Sequence, residues 1–358
     1  MSSQHPPVGT TFHYGDNAQW ETRVHVLKLP YIPPDPSHTL VDELRWLVEV
    51  VVSARRESVL LLNCSSGKLY PDLIASMLFG MLPARWRPVV ILAGAMYNPN
   101  HGLRHVIERL VLQLADRGIH RYAVWSSEEL EEMPRVWGIA PKKLRRCNYF
   151  YTFTEADIAP PEPPIEGHIF AGGNSQRDYE PLVEAARRMP DQQFIIATNR
   201  LKNRTDLPLN LSVRDVPHSE FVRLMRTAAA VIIPMKRGMS RSAGQQSYLN
   251  AMLLGKPVIV SESFGVRDLI EHGKTGFIVS GTPESYVEIL RTVLDPAQAD
   301  AMREIGQTAR AITKGQFSYD QHLRMLLEVI DEAVDDPDVR AHSRLHAQPT
   351  EQPVAVIR

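Results

Sequence analysis

The segment that decides the fold reads Ser242-Ala-Gly-Gln-Gln-Ser-Tyr-Leu-Asn-Ala-Met-Leu-Leu-Gly-Lys-Pro-Val-Ile-Val260. Its apolar residues recur at the spacing of one helix face, which predicts a helix over Ser242–Leu254. That face consists of Tyr248, Leu249, Met252 and Leu253. The aliphatic run Pro257–Val260 then predicts a buried strand. A helix that leads through Gly-Lys-Pro into such a strand is typical of an α/β repeat.

Outward from this segment, short aliphatic runs alternate with stretches of helical spacing. The other predicted strands are Val24–Leu27, Ser58–Asn63, Pro88–Leu92, Tyr122–Trp125, His168–Ala171, Phe194–Ala197 and Ala229–Ile233. The other predicted helices include Val41–Arg55, Leu103–Asp116, Tyr179–Arg188 and Ser219–Thr227. This alternation predicts an α/β fold of two doubly wound, Rossmann-like halves, each with a parallel sheet.

A proline-rich stretch, Asp157–Ile165, separates the two halves. Its prolines stiffen the backbone and remove the N–H donors that a helix or sheet requires, which predicts a hinge. Beyond Asp335 the sequence is polar and loses its periodicity, which predicts a flexible tail. The predicted organisation is an N-terminal domain over 1–158, the hinge over 159–166, a C-terminal domain over 167–316, a helix over 317–335 and the tail over 336–358.

The composition excludes several classes of protein. Forty Lys and Arg against 41 Asp and Glu leave a formal charge of −1, so nothing favours a nucleic-acid partner. Cys64 and Cys147 are the only cysteines and have no ligand-like spacing, which argues against a disulfide framework or a zinc site and favours a cytoplasmic protein. The oligomeric state stays open.

Neither membrane insertion nor stable membrane docking is expected. No run approaches the roughly 18 apolar residues that span a bilayer. Around the predicted helix that begins at residue 103, the charges of Arg104, Arg109 and Arg117 are opposed by Glu108 and Asp116.

Two glycines stand directly after a predicted strand, in Ile169-Phe-Ala-Gly-Gly-Asn-Ser-Gln-Arg-Asp-Tyr179. Gly172 and Gly173 let the backbone approach a phosphate at the N-terminus of the next helix, and Arg177 adds a cation. An ordinary strand-to-helix turn with a solvated Arg177 explains the same residues equally well.

A second polar loop, Pro234–Gly244, leads into the helix of the opening segment. Its cations are Lys236, Arg237 and Arg241, and the first helix amides belong to Gly244, Gln245 and Gln246. Guanidinium donors and free amides suit a diphosphate leaving group because they neutralise negative charge as it develops. The alternative is a solvated basic loop in which Ser242 caps the helix.

The order of these features resembles family 4 glycosyltransferases. The most specific part is Ala251–Val279, where Ala-Met-x-x-Gly-Lys-Pro-Val-Ile is followed by Gly-Val-Arg-Asp-Leu-Ile-x-x-Gly-x-x-Gly-Phe-Ile-Val. The resemblance covers about Gly167–Val334 well and the N-terminal half only in part. It implies the GT-B fold, with two Rossmann-like domains that face a cleft and a helix over 317–335 that crosses back to the N-terminal domain.

The resemblance implies a retaining transfer from a nucleotide diphosphate sugar to a small-molecule or glycan hydroxyl acceptor, without a metal or other cofactor. The donor would bind the C-terminal half and the acceptor the N-terminal half. Arg177 and Lys236 are the catalytic candidates. The predicted donor-binding residues are Gly172, Gly173, Asn174, Arg177, Asn199, Val216, Lys236, Arg237, Arg241, Ser242, Gly244, Gln245, Gln246, Ser247 and Asn250.

The chain departs from the family pattern at two positions of its donor site. Family members usually carry glutamates eight residues apart in this helix region, and here Ser242 and Asn250 stand in their place. An amide makes weaker, uncharged hydrogen bonds than a carboxylate, so a deoxyribose nucleotide becomes a reasonable donor. Near Gly94, a histidine that many members carry is replaced.

The N-terminal half offers weaker candidates. Polar-aromatic loops over His13–Trp20 and Gly94–Asn100 suit sugar or polyol recognition, although ordinary surface loops are equally compatible. The acceptor-side candidates they supply are Tyr14, Asp16, Tyr97 and Asn98. His101 and His105 have metal-ligand spacing but no third ligand, and Cys64 has no base partner, so we assign neither a metal site nor a nucleophile.

Two alternatives to a glycosyltransferase stay open from the sequence. Loss of both family carboxylates suits a non-catalytic GT-B protein that binds a nucleotide or a partner, although the retained Arg177 and basic loop argue against it. A sugar-nucleotide epimerase of the same fold is the weaker alternative.

Overall fold

The protein is described here from a computed structural model, which covers residues 6–32, 38–64, 69–94, 98–158 and 165–347. The described residues form two compact units. The first draws on Met1–Trp125, Glu129–Cys147 and Leu323–Arg358, and the second on Ser126–Glu128 and Asn148–His322. Most of the predicted hinge, residues 159–164, lies outside the described residues.

The first unit is built on a parallel six-stranded sheet. Its strands are β1 Val8–Thr10, β2 Val24–Val26, β3 Val59–Asn63, β4 Val89–Ala93, β5 Arg121–Val124 and β6 Leu144–Arg146. Their order is β2-β1-β3-β4-β5-β6, and every pairing is parallel. The helices along this part of the chain are α1 Ala18–Glu21, α2 Leu40–Ser53, α3 Pro71–Gly80, α4 Leu103–Asp116 and α5 Ser127–Trp137. Trp46, Phe79 and Leu112 pack in its core with Leu62 and Leu92 of the sheet.

The second unit repeats this architecture. Its strands are β7 Ile169–Gly172, β8 Phe194–Ala197, β9 Leu211–Arg214, β10 Ala230–Ile233, β11 Val258–Ser261 and β12 Phe277–Val279. They pair in parallel in the order β12-β11-β10-β7-β8-β9. Its helices are α6 Glu155–Ile158, α7 Glu180–Arg187, α8 His218–Thr227, α9 Gln245–Leu253, α10 Pro283–Val293 and α11 Ala299–Gln316. The prediction of an α/β fold with two parallel, doubly wound sheets is confirmed.

Residues 148–158, placed in the N-terminal domain from the sequence, group with the second unit. Hydrogen bonds from backbone amides explain this grouping, because the Tyr151 amide donates to the Phe317 carbonyl (3.1 Å) and the Thr152 amide donates to the side-chain Oδ1 of Asn250 (2.8 Å). The last long helix, α12 Tyr319–Asp335, begins in the second unit, and its residues from Leu323 onward belong to the first.

Regular structure continues past Asp335, which corrects the prediction of a flexible tail for the part that is described. Helix α13 spans Pro337–Ala341, and a 3-10 helix spans Arg344–Ala347. Asp336 accepts hydrogen bonds from two amides of α13, and Val339 and Leu345 are buried in the first unit. A short capped helix with single apolar anchors leaves no periodicity in the sequence. Across the described ranges, none of the helices is long and apolar enough to cross a bilayer.

Candidate functional site

The candidate site lies where the topology of the second sheet reverses. From β7 the chain proceeds to β8 and β9 on one side, and it then returns to place β10 on the other side of β7. Helix α7 packs on one face of the sheet with α10, and α8 and α9 pack on the opposite face. The loops that follow β7 and β10 therefore begin at the topological switch point, at the carboxyl ends of the strands, where open α/β sheets bind ligands.

Backbone contacts join these two loops. Arg177 and Met235 form an antiparallel bridge, the Asp178 amide donates to the Pro234 carbonyl (2.9 Å), and the Lys236 amide donates to the Gln176 carbonyl (3.0 Å). Ser261, at the end of β11, fixes the second loop through its hydroxyl, which accepts from the Met235 amide (2.6 Å). The glycine-rich and the basic loop predicted from the sequence are thus parts of one site.

The guanidinium of Arg177 is the central charge of this site. It donates to Ser247 Oγ (2.7 Å), to the carbonyls of Ser175 and Gly172 (2.9 and 3.3 Å) and to the Met235 sulfur (3.0 Å). The residue is only 5% exposed, and burial lowers the pKa of the guanidinium below its ordinary value. No carboxylate of the described chain forms an ion pair with it. Because a buried cation without a counterion is costly, this arrangement favours an anionic ligand.

Two glycines make room for this arginine. Gly173 has φ 107°, and a Cβ atom there would lie 3.2 Å from Arg177 Nη2. Gly244 has φ 76°, and its Cβ would lie 2.7 Å from Met235 Sδ and 3.0 Å from Arg177 Nη1. A side chain at either position would meet both steric and backbone strain.

The left-handed conformation of Gly244 also sets the start of α9. The helix begins at Gln245 rather than at the predicted Ser242, and Gly244 is its N-cap residue without a side-chain cap. Ser242 therefore does not cap the helix. The positive end of the helix dipole points from Gln245 and Gln246 toward the loop that follows β10, beside Arg177.

The predicted loop cations differ in their surroundings. Lys236 is exposed, and Arg237 is exposed and donates to the Ser280 carbonyl (2.5 Å). Arg241 Nε is buried and has no hydrogen-bond partner within the described part of the protein. Of the three cations, Arg241 carries the unsatisfied donor that an added anion would satisfy.

The predicted base-side residues follow the neighbouring strands. Asn174 Oδ1 accepts from the Asn199 amide (3.0 Å) and from the Thr198 hydroxyl (2.7 Å), which links the loops after β7 and β8. The Tyr179 hydroxyl donates to the Gly173 carbonyl (2.6 Å), and burial raises the pKa of Tyr179 to about 12, so it stays protonated. Val216 follows β9 and packs against the core of the unit.

Asn250 is engaged inside the protein. Its Oδ1 accepts from the amides of Thr152 (2.8 Å) and Phe153 (3.2 Å), and its Nδ2 donates to Thr152 Oγ1 (3.1 Å). The exposed Gln246 also donates to Thr152 Oγ1 (2.6 Å), while Gln245 is buried. The helix therefore uses Asn250 as an anchor for residues 152–153, and its predicted contact with the donor stays a prediction.

Sequence reasoning missed several residues that shape the site, namely Met235, Tyr179, Thr152, Ser261, Ser126 and Gly265. Ser242 is buried, and a Cβ atom on Gly265 would lie 3.3 Å from its Cβ and 2.7 Å from that of Ser126. Only the glycine of the Gly-Val-Arg-Asp motif gave a sequence signal, because the other contacts join residues far apart in the chain.

The weaker N-terminal candidates lie in the first unit. Tyr14 stacks on Phe12 (4.9 Å between ring centroids), and the Asp16 amide donates to Glu21 Oε1 (2.9 Å). Asn98 is half-buried in the loop before α4, and Tyr97 lies outside the described residues. Cys64 is a buried cysteine. His105 packs near Trp137, and no group of three potential metal ligands occurs within the described ranges.

Comparisons with known proteins agree with this geometry. Residues 169–296 match the family described as Glycosyl transferases group 1. HepE of Anabaena, solved in complex with UDP, is similar at 15% identity and a TM-score of 0.63, with 88% of each chain covered. A glycosyltransferase from Rickettsia africae is similar at 14% identity and a TM-score of 0.65, with 93% of this chain and 91% of that chain covered. Sucrose-phosphate synthase from Thermosynechococcus elongatus is similar at 14% identity and a TM-score of 0.62, with 87% of this chain and 83% of that chain covered. No curated protein sequence matches the chain.

These structures show that the chain has the GT-B fold. Residues 169–296, which contain Arg177 and its neighbours, match the glycosyl transferases group 1 family. The resemblance drawn from Ala251–Val279 is thereby confirmed.

Proposed function

We propose that the protein transfers a sugar from a nucleoside diphosphate sugar to a hydroxyl group of a small-molecule or glycan acceptor, with retention and without a metal ion or other cofactor. The diphosphate would bind at the crevice between the loops after β7 and β10. Asn199 and Val216, which follow β8 and β9, would border the base. The buried thiols of Cys64 and Cys147 are compatible with a cytoplasmic setting.

The observation that carries this proposal is the buried Arg177 guanidinium, which has no counter-carboxylate among the described residues. A diphosphate supplies the missing negative charge, and Arg offers planar, multiple donors to phosphate oxygens. Arg241 Nε is an unsatisfied donor close in sequence to the start of α9. The positive end of the α9 dipole adds to the same field.

This field stabilises charge that forms during transfer. As the bond between the sugar and the diphosphate breaks, negative charge grows on the leaving phosphate oxygen. Fixed donors at that position stabilise the transition state more than the ground state, and removal of one such donor typically costs about 100- to 1,000-fold in rate. A cationic site of this kind can perform the role that a divalent ion performs in other enzymes.

The nucleotide half of the proposal is tested by isothermal titration with UDP, GDP, dTDP and ADP. UDP comes first because it is bound in the Anabaena HepE structure. We expect one of these nucleotides to bind the unaltered protein and to lose most of its affinity for Arg177→Ala. Arg291→Ala, at an exposed position of α10, is the matched control and should bind normally. Absence of binding by all four nucleotides would remove the proposal.

The transfer half needs an acceptor screen with the matching nucleotide sugar. Retention predicts that the anomeric configuration of the donor is preserved in the product, which NMR coupling constants report. Metal independence predicts an unchanged rate after addition of EDTA. A product of inverted configuration would refute retention, and loss of the rate with EDTA would refute metal independence. Isomerisation of the donor in the absence of an acceptor would instead support an epimerase.

A further inference from the structure

A cavity of about 390 Å³ lies in the first unit, at the amino ends of β4, β5 and β6. Arg87 precedes β4, Arg121 begins β5, and a 3-10 helix with Lys142 and Lys143 leads into β6. Helix α13 and the end of α12 complete its lining. Open α/β sheets bind their usual ligands at the opposite, carboxyl ends of the strands. A ligand of this cavity would therefore contact none of the residues of the proposed donor site.

Cations outnumber carboxylates around this cavity. The lining cations are Arg87, Arg117, Arg121, Lys142, Lys143 and Arg145, and the lining carboxylates are Glu332, Asp336 and Asp338. Asp116 adds a fourth carboxylate from outside the lining, because it pairs with Lys143 at 2.9 Å. Six positive charges against four negative ones leave a net charge of +2.

The carboxylates of α12 and its end are committed to two of the arginines. Glu332 accepts hydrogen bonds from Arg145 and Arg121, and Asp336 accepts from Arg121. The contact with Arg145 lowers the pKa of Glu332, and the contact with Arg121 lowers the pKa of Asp336. Both carboxylates therefore stay ionised and paired at neutral pH, and they leave the other cations of the lining without compensation.

Three cations of the lining keep most of their charge for a ligand. Arg87 is half-buried and donates to two backbone carbonyls (2.6 and 3.0 Å). Arg117, at the end of α4, is exposed. Neither arginine forms an ion pair with a carboxylate in the described ranges. Lys142 lies 3.9 Å from Asp338, but the two side chains are 77% and 83% exposed, so water screens this pair.

The buried His120 lies within this positive field. Its Nδ1 accepts from the Val90 amide (3.1 Å), which places the proton of the neutral ring on Nε2. Burial, followed by the charges of Lys143 and two arginines, lowers the pKa of His120 to about 4. The imidazole is therefore neutral at pH 7, and the cations around it favour an anion in the cavity.

We propose that this cavity binds a small organic molecule with one phosphomonoester group. Such a group carries about 1.5 to 2 negative charges at pH 7, which matches the positive excess. The guanidinium groups of Arg87 and Arg117 offer the planar donors that suit phosphate oxygens. The volume falls in the range of small-molecule sites and exceeds that of a phosphate ion, so the organic part of the ligand fills the rest.

The remaining lining residues suit a ligand that also carries hydroxyl groups. His342 Nδ1 donates to the Asp338 carbonyl (2.8 Å), which leaves Nε2 of the neutral ring as an acceptor. Ile119 and Val339 are buried and give the cavity an apolar portion for the carbon skeleton. A phosphorylated sugar or polyol combines these features.

Isothermal titration of the full chain tests the proposal, with glucose 6-phosphate as the probe and glucose as its uncharged match. We expect glucose 6-phosphate to bind, with an affinity that falls as salt screens the exposed charges, and glucose not to bind. Inorganic phosphate should bind more weakly, because it lacks the organic part. The double variant Arg117→Glu/Lys142→Glu should weaken the binding of glucose 6-phosphate by roughly tenfold or more, because it replaces two attractive charges with repulsive ones.

Matched controls separate this site from the donor site and from loss of fold. Arg291→Glu/Lys314→Glu reverses two exposed cations of the second unit, and Arg177→Ala alters the proposed donor site. Both should bind glucose 6-phosphate normally. The melting temperatures of the two double variants without ligand should match that of the unaltered protein, because all four positions are exposed.

Three results would overturn the proposal. The first is no binding of glucose 6-phosphate. The second is binding that Arg177→Ala removes and Arg117→Glu/Lys142→Glu leaves unchanged, which would place the sugar phosphate in the donor site. The third is equally tight binding of inorganic phosphate, which would show an unselective anion site without contacts to the organic part.

Discussion

In each of the two sheets the strand order reverses once, and a buried charged residue lies at each reversal. The residue is acidic in the first sheet and basic in the second. In the first sheet the reversal lies between β1 and β3, and the buried Asp72 at the start of α3 occupies it. Its carboxylate accepts from Thr11 Oγ1 (2.5 Å), Trp46 Nε1 (2.5 Å) and the Asn63 amide (2.8 Å). In the second sheet the reversal lies between β7 and β10, and the buried Arg177 occupies it.

The two buried charges differ in what surrounds them. Asp72 receives hydrogen bonds from three side-chain and backbone donors, and the N-terminus of α3 adds a favourable dipole. Arg177 donates to neutral oxygens and a sulfur, and no described carboxylate balances its charge. The protein itself balances the buried charge at the switch point of the first sheet, whereas at that of the second sheet the proposed diphosphate would balance it.

The largest effect is expected from Arg177. Replacing it with Ala should lower kcat/KM for the nucleotide sugar by about 100- to 1,000-fold, because a fixed donor to the leaving diphosphate is lost. Arg177→Lys should recover only a small part, since an ammonium cannot reproduce the planar fork of donors. Steady-state kinetics with one donor and acceptor measure both. Equal activity of the Arg177→Ala variant and the unaltered enzyme would show that Arg177 does not serve the ligand, in which case its role would not differ from that of Asp72.

Asp72 should affect stability instead of nucleotide binding. Asp72→Ala leaves three buried donors without their acceptor and should lower the free energy of unfolding of the first unit by roughly 3 kcal/mol. Asp72→Asn keeps one acceptor oxygen and should cost less. Urea denaturation measures the loss, and nucleotide titration of the folded variant should give an unchanged affinity. A large loss of affinity would show that this charge, too, serves the ligand.

Gly244→Ala should disturb the Arg177 site without removing its charge. The new methyl group meets the Met235 sulfur at 2.7 Å and the guanidinium at 3.0 Å, so we expect a nucleotide affinity about tenfold lower and a stability loss of about 1–2 kcal/mol. Gly255→Ala is the control, because Gly255 has a similar φ of 69° and no atom closer than 3.6 Å. It should show the backbone cost alone, with normal affinity by titration.

Asn250 should give the smallest effect on the ligand. Asn250→Ala removes the acceptor for two amides and should lower stability by about 1–2 kcal/mol, while Asn250→Asp keeps both acceptor contacts and should lower it by less. Thermal unfolding and nucleotide titration distinguish the two roles of this residue. If Asn250→Ala weakens nucleotide binding more than Gly244→Ala does, Asn250 belongs to the ligand site as the sequence predicted.

Much of the fold follows from local pattern. The strand predicted at Phe194–Ala197 and the helix predicted at Leu103–Asp116 match β8 and α4, and most other elements shift by one or two residues. The strands β1, β6 and β9 escaped prediction because each offers only one or two aliphatic residues among glycine and polar ones. Helix α9 begins at Gln245, three residues after the predicted start at Ser242, because apolar spacing does not indicate the left-handed backbone conformation of Gly244.

The site was less accessible from sequence. The Gly-Gly turn and the basic loop indicated Arg177, but its contacts with Met235 and Ser247 join residues 58 and 70 positions away. The anchoring of residues 152–153 by Asn250 spans almost 100 positions and has no local signature. The apolar spacing also predicted which residues of α4 share a face, but not whether that face is buried in the core or exposed to solvent. Periodicity carries only the first kind of information.

The C-terminal segment of the first unit has a consequence for how the chain folds during synthesis. Arg23 pairs with Asp331 at 2.6 Å, Arg121 pairs with Glu332 and Asp336, and the Arg344 amide donates to the Arg87 carbonyl. These contacts close loops of more than 200 residues, and such closures form late. The ribosome must therefore release nearly the whole chain before the first unit can complete itself, while every strand of the second sheet has already emerged.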